Sequence, residues 1–142
     1  MRIIIKDPVS GAETILCDGP GRGLDRNHGP LDGLMIDDQV ATQVAEFLRS
    51  DTVQAYNRRN QRTAISFRVV RESASAMAAH AWQLAFHAGC LRSGTLHLTE
   101  TSAQGSTSAI KIGNAVIQSI KTTPMGCSRM IDFNIVGGKL ST

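Results

Sequence analysis

The chain predicts an α+β fold: a mainly antiparallel β-sandwich or barrel-like sheet with one flanking α-helix over about residues 73–89. Three observations predict it. Short runs alternate apolar and polar residues along most of the length, as in Ile65, Phe67 and Val69 or Ile131, Phe133 and Ile135, and period-two alternation marks half-buried strands. One stretch alone, SASAMAAHAWQLAFHAG, combines helical period, a capping serine and a terminal glycine. That helix falls between two strands rather than alternating with many, which argues for α+β rather than a parallel α/β sheet.

Taken in order, Arg2–Lys6 reads as a strand, Pro8 with Ser10-Gly11 as a turn, and Ala12–Cys17 as the second arm of a hairpin. Asp18–Gly33, DGPGRGLDRNHGPLDG, is rich in Gly and Pro and reads as a long loop or arm of a single domain spanning 1–142. Loops of that length inside a compact domain are functional or disordered, and both readings stay open. Its candidate contact residues are Gly19, Gly21, Arg22, Gly23 and Arg26.

Leu34–Leu48 is ambiguous. Val40, Val44, Phe47 and Leu48 repeat at helical spacing, yet Val40, Thr42 and Val44 share strand parity. Ser50-Asp51 is a turn signal and TVQAY a candidate strand, followed by the clear strand Ile65–Val70. The helix begins at Ser73 or Ser75, either of which can accept a first-turn N–H. Met77, Ala78, Ala81, Leu84, Ala85 and Ala88 form its apolar stripe, Trp82 lies at the stripe's edge, and Gly89 reads as a left-handed cap.

Beyond the helix, Thr95–Thr99 alternates around Leu96 and Leu98, and Glu100–Thr107 is a polar hairpin loop. Ser108–Thr122 is a long strand carrying Ile110, Ile112, Val116, Gln118 and Ile120, interrupted at Gly113-Asn114 by a tight turn or a bulge. TPMG is a turn, Cys127–Val136 the last strand, and KLST a tail.

The totals exclude several classes. The chain has 142 residues, 42% of them hydrophobic, which is enough for a core without staples. Its three cysteines are odd in number and form no CxxC, and MRIIIKD is too short an apolar run for a signal peptide, so no disulfide framework is expected. The apolar runs fall far short of a membrane helix. Residues 1–48 hold four basic and eight acidic side chains, whereas residues 49–142 hold eleven and four, a −4 to +7 asymmetry that can steer partners or favour head-to-tail contacts.

Chemistry is thin. His80, His87, Cys90 and His97 lack the convergent spacing of a zinc site, and Cys90 at a helix C-terminus sits at the wrong end of the dipole for a reactive thiolate. GPGRG lacks the Lys-Ser/Thr ending of a phosphate loop. The chain therefore reads as a non-enzyme with no cofactor or metal. The densest charge feature is Arg58, Arg59, Arg62, Arg68 and Arg71, which is open to three readings: solvated surface, a protein interface, or contact with an anionic backbone.

The run NQRTAISFRVVRESASAMAAHAWQLAFHAGCLRSGTLHL, together with the closing DFNIVGG, resembles small virion proteins of tailed bacteriophages, in particular the tail tube and distal tail type. The resemblance covers about half the chain. It implies a structural subunit of a phage tail or related injection apparatus, located in the virion tail and assembled in the bacterial cytoplasm. Such a subunit forms hexameric or trimeric rings with copies of itself, meets other tail proteins, and forms or caps a channel that DNA traverses without sequence-specific binding. A head-tail connector or tail-completion protein is the nearest alternative, and a small binding domain using the Arg-rich face on an anionic partner is a different class. The resemblance also tips Val40–Phe47 toward a strand and makes the 18–33 segment an assembly arm. A DNA channel is commonly acidic, so its lining would come from the N-terminal half.

Overall fold

The structure is a computed structural model and describes residues 1–19, 21, 23–41, 60–101 and 103–141. In chain order its elements are β1 (Arg2–Lys6), β2 (Glu13–Cys17), β3 (Asn27–Ala41), β4 (Asn60–Glu72), α1 (Ala76–Gly89), β5 (Ser93–Thr101), β6 (Thr107–Met125), β7 (Ser128–Gly137) and β8 (Leu140–Ser141). The strands form one antiparallel sheet in the order β2-β1-β5-β6-β7-β4-β3, with β8 added to β6. Its two ends approach each other: the Asp18 N–H donates to the Asn27 carbonyl at 2.7 Å, and Gly19 bridges His28. The sheet is thus a nearly closed barrel, as the alternating strands and single helix predict.

The interior is filled by every second residue of the strands. Ile3 and Ile5 of β1, Ile65, Phe67 and Val69 of β4, Leu96 and Leu98 of β5, and Ile131, Phe133 and Ile135 of β7 are all buried. Phe67 and Phe133 are register partners on β4 and β7, and their rings stack with centroids 5.0 Å apart. Aromatics are scarce, so these rings and the branched aliphatics carry the hydrophobic stabilisation.

The long strand β6 gives the barrel its curvature. It pairs with β5 over its first half and with β7 over its second. Gly113 and Asn114 stand opposite Thr95 alone, between the pairs Leu96↔Ile112 and Gly94↔Ala115, and Asn114 has φ +51°. This is a bulge, one of the two forms expected there. A second extra residue, Gln118, falls between Ile117↔Ile135 and Ser119↔Asn134. Each bulge shifts side-chain parity, because the strand period is two. Ile117 is accordingly buried, Val116 and Gln118 face outward, and Ile120 packs on the core.

Ser75 caps α1, its Oγ accepting the Ala78 N–H at 3.1 Å. The helix does not end on a left-handed Gly89. Cys90 closes it in an extended conformation (φ −66°, ψ 131°) with its N–H on the Phe86 carbonyl. The chain beyond is held straight into β5, since the Leu91 N–H donates to Thr14 Oγ1 and the Arg92 carbonyl accepts the Ile117 N–H. A left-handed turn there would break both contacts.

The expected apolar stripe of α1 is also corrected. Ala79 is the helix's buried residue, and Trp82 and Phe86 pack against the core, whereas Met77 and Leu84 are 83% and 59% exposed. The aromatic side chains decide the packed face, because they reach the barrel and stack: Trp82 lies 4.8 Å from Phe86, and Phe86 meets Phe133 edge-on at 6.0 Å.

Two further differences concern loops. Asn27–Gly33, read as part of a loop, begins β3, because Asn27 and His28 pair with Arg71 and Val70. Asn27 is buried there, with its Nδ2 donating to the Leu16 carbonyl. The ambiguous Leu34–Leu48 stretch is strand up to Ala41, as the resemblance favours, while its remainder and TVQAY lie outside the described residues. The KLST tail contributes β8 through Leu140↔Ile112 and Ser141↔Lys111.

Candidate functional site

The arginine run does not form one surface. Strand parity separates Arg68 from Arg71. Arg68 is on the outer face of β4 beside its β7 partner Asp132, with Nε 2.6 Å from Oδ1 and a second nitrogen 3.4 Å from Oδ2. Arg71 points the other way, toward the helix. Its guanidinium lies 4.5 Å over the Trp82 ring, donates to Asn27 Oδ1 at 3.3 Å, and stands 3.9 Å from Asp25. Its side chain is only 15% exposed, and burial pulls its pKa down while Asp25 and Asp18 push it up. Arg71 thus pins together β4, the start of β3 and α1. Arg62 is exposed on β4, and Arg58 and Arg59 lie outside the described residues.

The proposed arm folds back onto its own chain. Gly19 is buried with φ +98° and lies against Met1, while Gly21 and Gly23 border the Arg26 side chain. Arg26 reaches the Asp18 carbonyl at 3.5 Å, and the Asp25 N–H donates to the Glu72 carbonyl at 2.8 Å. Arg22 lies outside the described residues.

The histidines and cysteines are dispersed. His87 Nε2 is 2.8 Å from Thr122 Oγ1, and His80 is exposed. His97 has its pKa lowered by burial first, then by Lys111 and Lys6, which stand on the same outer face of β1, β5 and β6. Burial pushes the Cys90 and Cys17 thiols up, whereas Cys127 is exposed at the β6–β7 turn. Among the described residues no group of three or more His, Cys, Asp or Glu converges as metal ligands do, and no helix is long and apolar enough to cross a membrane. His28, which the sequence reading did not single out, is buried with Nε2 3.7 Å from Glu72 Oε1.

Met77 and Leu84, which the sequence reading set in the helix's apolar stripe, are exposed, as are Leu24 and Met125. Val116 is exposed and lines a cleft of about 410 Å³ with Asp7, Pro8, Leu91, Arg92 and Ala115, and Val9 is exposed on the β1–β2 turn. The signal was available in the helix composition: Ala76–Gly89 contains no Asp, Glu, Lys or Arg, whereas a surface helix ordinarily carries charge on its solvent face.

No family model matches the chain, and no curated protein matches it. Among solved structures, it is similar to a chain in the tail of an empty GTA particle with C6 symmetry. The match has a TM-score of 0.52 and 15% sequence identity, and it covers 99% of this chain and 93% of that one. At that identity the likeness is one of fold. It agrees with the tail-type resemblance of the strand-helix-strand run.

Proposed function

We propose that this chain is a structural subunit of a phage-like tail, which assembles with copies of itself into rings that form or cap a channel for DNA. The observation that carries the reading is the extent of the structural likeness: nearly the whole of this chain and of the C6 tail chain superimpose as one fold. Three features of the molecule support it. Among the described residues the barrel's interior is packed with branched aliphatic and aromatic side chains. Its open clefts lie between strands and loops at the surface. Its exposed apolar groups suit protein contact rather than solvent.

In this reading the subunit acts by geometry. The nearly closed sheet sets the angle between neighbours, and a contact between two different surfaces repeats until the ring closes. Six copies per ring is the number that the C6 relative suggests. The subunit would reside in the virion tail among other tail proteins, after assembly in the bacterial cytoplasm. DNA would pass without base-specific contact.

The test is direct. Purified chain across the micromolar range, followed by light scattering and negative-stain imaging, is expected to give rings or stacked rings. A chain that stays monomeric at every concentration overturns the proposal.

A further inference from the structure

The sheet has two end strands, β2 and β3, and a short seam joins them. The Asp18 N–H donates to the Asn27 carbonyl at 2.7 Å, and the Asn27 N–H donates to Asp18 Oδ2 at 3.1 Å. Asn27 Nδ2 reaches the Leu16 carbonyl at 3.3 Å. The Gly29 N–H reaches the Gly19 carbonyl at 3.3 Å, beside a parallel bridge between Gly19 and His28. By contrast, β4 and β7 pair without a break from Thr63↔Gly137 to Glu72↔Ser128.

The seam is also where buried polar groups go unserved. Among the described residues, two buried side-chain nitrogens lack a hydrogen-bond partner, His28 Nε2 and Arg71 Nε. Both border the seam: His28 is bridged to Gly19, and Arg71 donates from Nη1 to Asn27 Oδ1 at 3.3 Å. A carboxylate stands near each and falls short. Glu72 Oε1 is 3.7 Å from His28 Nε2, and Asp25 Oδ1 is 3.9 Å from Arg71 Nη2, both beyond hydrogen-bond reach. Arg68, on the same strand, shows the satisfied form, with Nε 2.6 Å from Asp132 Oδ1.

A buried polar atom without a partner carries a desolvation penalty that hydration removes. Water does not reach either nitrogen while the seam is shut. Parting β2 from β3 hydrates both, so opening recovers part of what the broken seam bonds cost. Nothing comparable offsets the loss of the β4–β7 ladder. Local opening follows the least stable contacts first, and these two differences put the seam first.

We propose that the seam is a latch: the β2 side, ending at Gly19, parts from the Asn27–Gly29 side while β4, β6 and β7 stay folded. Opening leaves β2 and β3 as free edges of one sheet. It also widens a cleft of about 550 Å³ that Thr14 and Ile15 of β2 line together with Asn27, Trp82 and Phe86. The sheet thereby passes between a closed and an open form with its long ladders intact. The latch belongs to the single chain and stands apart from the ring reading.

Native-state hydrogen exchange on the full chain, at a dilution where it is monomeric, reads the latch through the Asp18, Asn27 and Gly29 amides. These are expected to share one opening equilibrium and to exchange at least about a hundredfold faster than the most protected amides of β4 and β7. Their rates are expected to depend only weakly on urea, because little surface is exposed. Seam amides that exchange at the β4–β7 rate and climb with urea in parallel overturn the proposal, since they then open only when the whole chain unfolds. Three unrelated opening equilibria overturn it too. A second arm tests the cause. His28→Leu keeps bulk and the backbone bridge but has no nitrogen to hydrate, so the seam amides are expected to exchange about tenfold more slowly. Unchanged or faster exchange in that folded variant overturns the account of why the latch opens. Should His28→Leu lose its fold, His28→Phe replaces it, with the same outcomes deciding.

Discussion

Arg68 and Arg71 share strand β4 yet face opposite sides of the sheet, and their replacement should have different costs. The Arg68–Asp132 pair is partly open to water, and exposed ion pairs contribute about 0.2–1 kcal/mol. Asp132→Asn is therefore expected to lower unfolding free energy by less than about 1 kcal/mol in a urea titration. Arg71→Ala removes the contact over Trp82 and leaves Asn27 Oδ1 short of a donor, and should cost about 2–3 kcal/mol. The alternation of Ile65, Phe67 and Val69 already implied that Arg68 and Arg71 diverge. What no local pattern held was the partner of each, because Asp132 lies on the distant strand β7 and Trp82 meets Arg71 only once α1 has packed on the barrel. The thiols show the same contrast between local and tertiary information. Cys17 and Cys90 are buried and Cys127 is not, so a thiol reagent near neutral pH should label Cys127 alone in the folded chain and all three after unfolding. Burial raises the two inner thiols above their ordinary value of 9.0. The folded state then holds protons that the unfolded state releases. Their contribution to stability is complete below about pH 9 and is lost as pH rises through the raised folded values. Denaturation midpoints measured from pH 8 upward should fall accordingly, and the fall should shrink in a Cys17→Ala/Cys90→Ala chain.

Elements were legible wherever a repeat ran unbroken. β4, β5 and β7 follow their alternation, and their inward residues are those that parity selects. β6 was harder, since its bulges at Gly113-Asn114 and Gln118 each reset the parity, and only strand pairing reveals where the extra residues fall. The helix failed differently. Its many alanines make more than one face apolar, so periodicity finds a stripe without saying which one is buried. Trp82 and Phe86 settle the choice by size and by reach to Phe133. Trp82→Ala should thus cost about 2–4 kcal/mol, whereas Leu84→Ala should change monomer stability by less than about 0.5 kcal/mol. Thermal melts followed by circular dichroism compare the two, and equal losses would contradict the packed face described above. Backbone approach offers a second check on the element scale. An added Cβ at Gly94 would overlap the Lys6 carbonyl oxygen, and a neighbouring strand cannot move aside without breaking the β1–β5 ladder. Gly94→Ala is expected to cost about 2–3 kcal/mol, whereas Gly105→Ala has open space around it and is opposed only by its φ of +84°.

At the scale of the whole molecule, the charge asymmetry and the tail-type resemblance pointed toward assembly, but the surfaces involved were not legible. Met77 and Leu84 read as core because a helical apolar stripe usually is core; here both are exposed, where assembly can cover them. This has a consequence for stability that is separable from any image of a ring. A chain that buries apolar surface only on association gains stability by mass action, as a ligand that binds the folded state alone would supply it. The thermal midpoint of the wild type should therefore rise with protein concentration, and a hundredfold excess over the dissociation constant would add about 2.7 kcal/mol. In a Met77→Glu/Leu84→Glu chain, which carries charge where those apolar side chains are exposed, the rise should be smaller. At dilutions where the wild type is monomeric the two curves should meet, because neither side chain contributes to the fold of a lone subunit. A wild-type midpoint that is flat across a thousandfold range of concentration, in a preparation shown to assemble, would mean that association buries little that the free chain exposes. The exposed Met77 and Leu84 would then be surface features of the subunit rather than part of a joint.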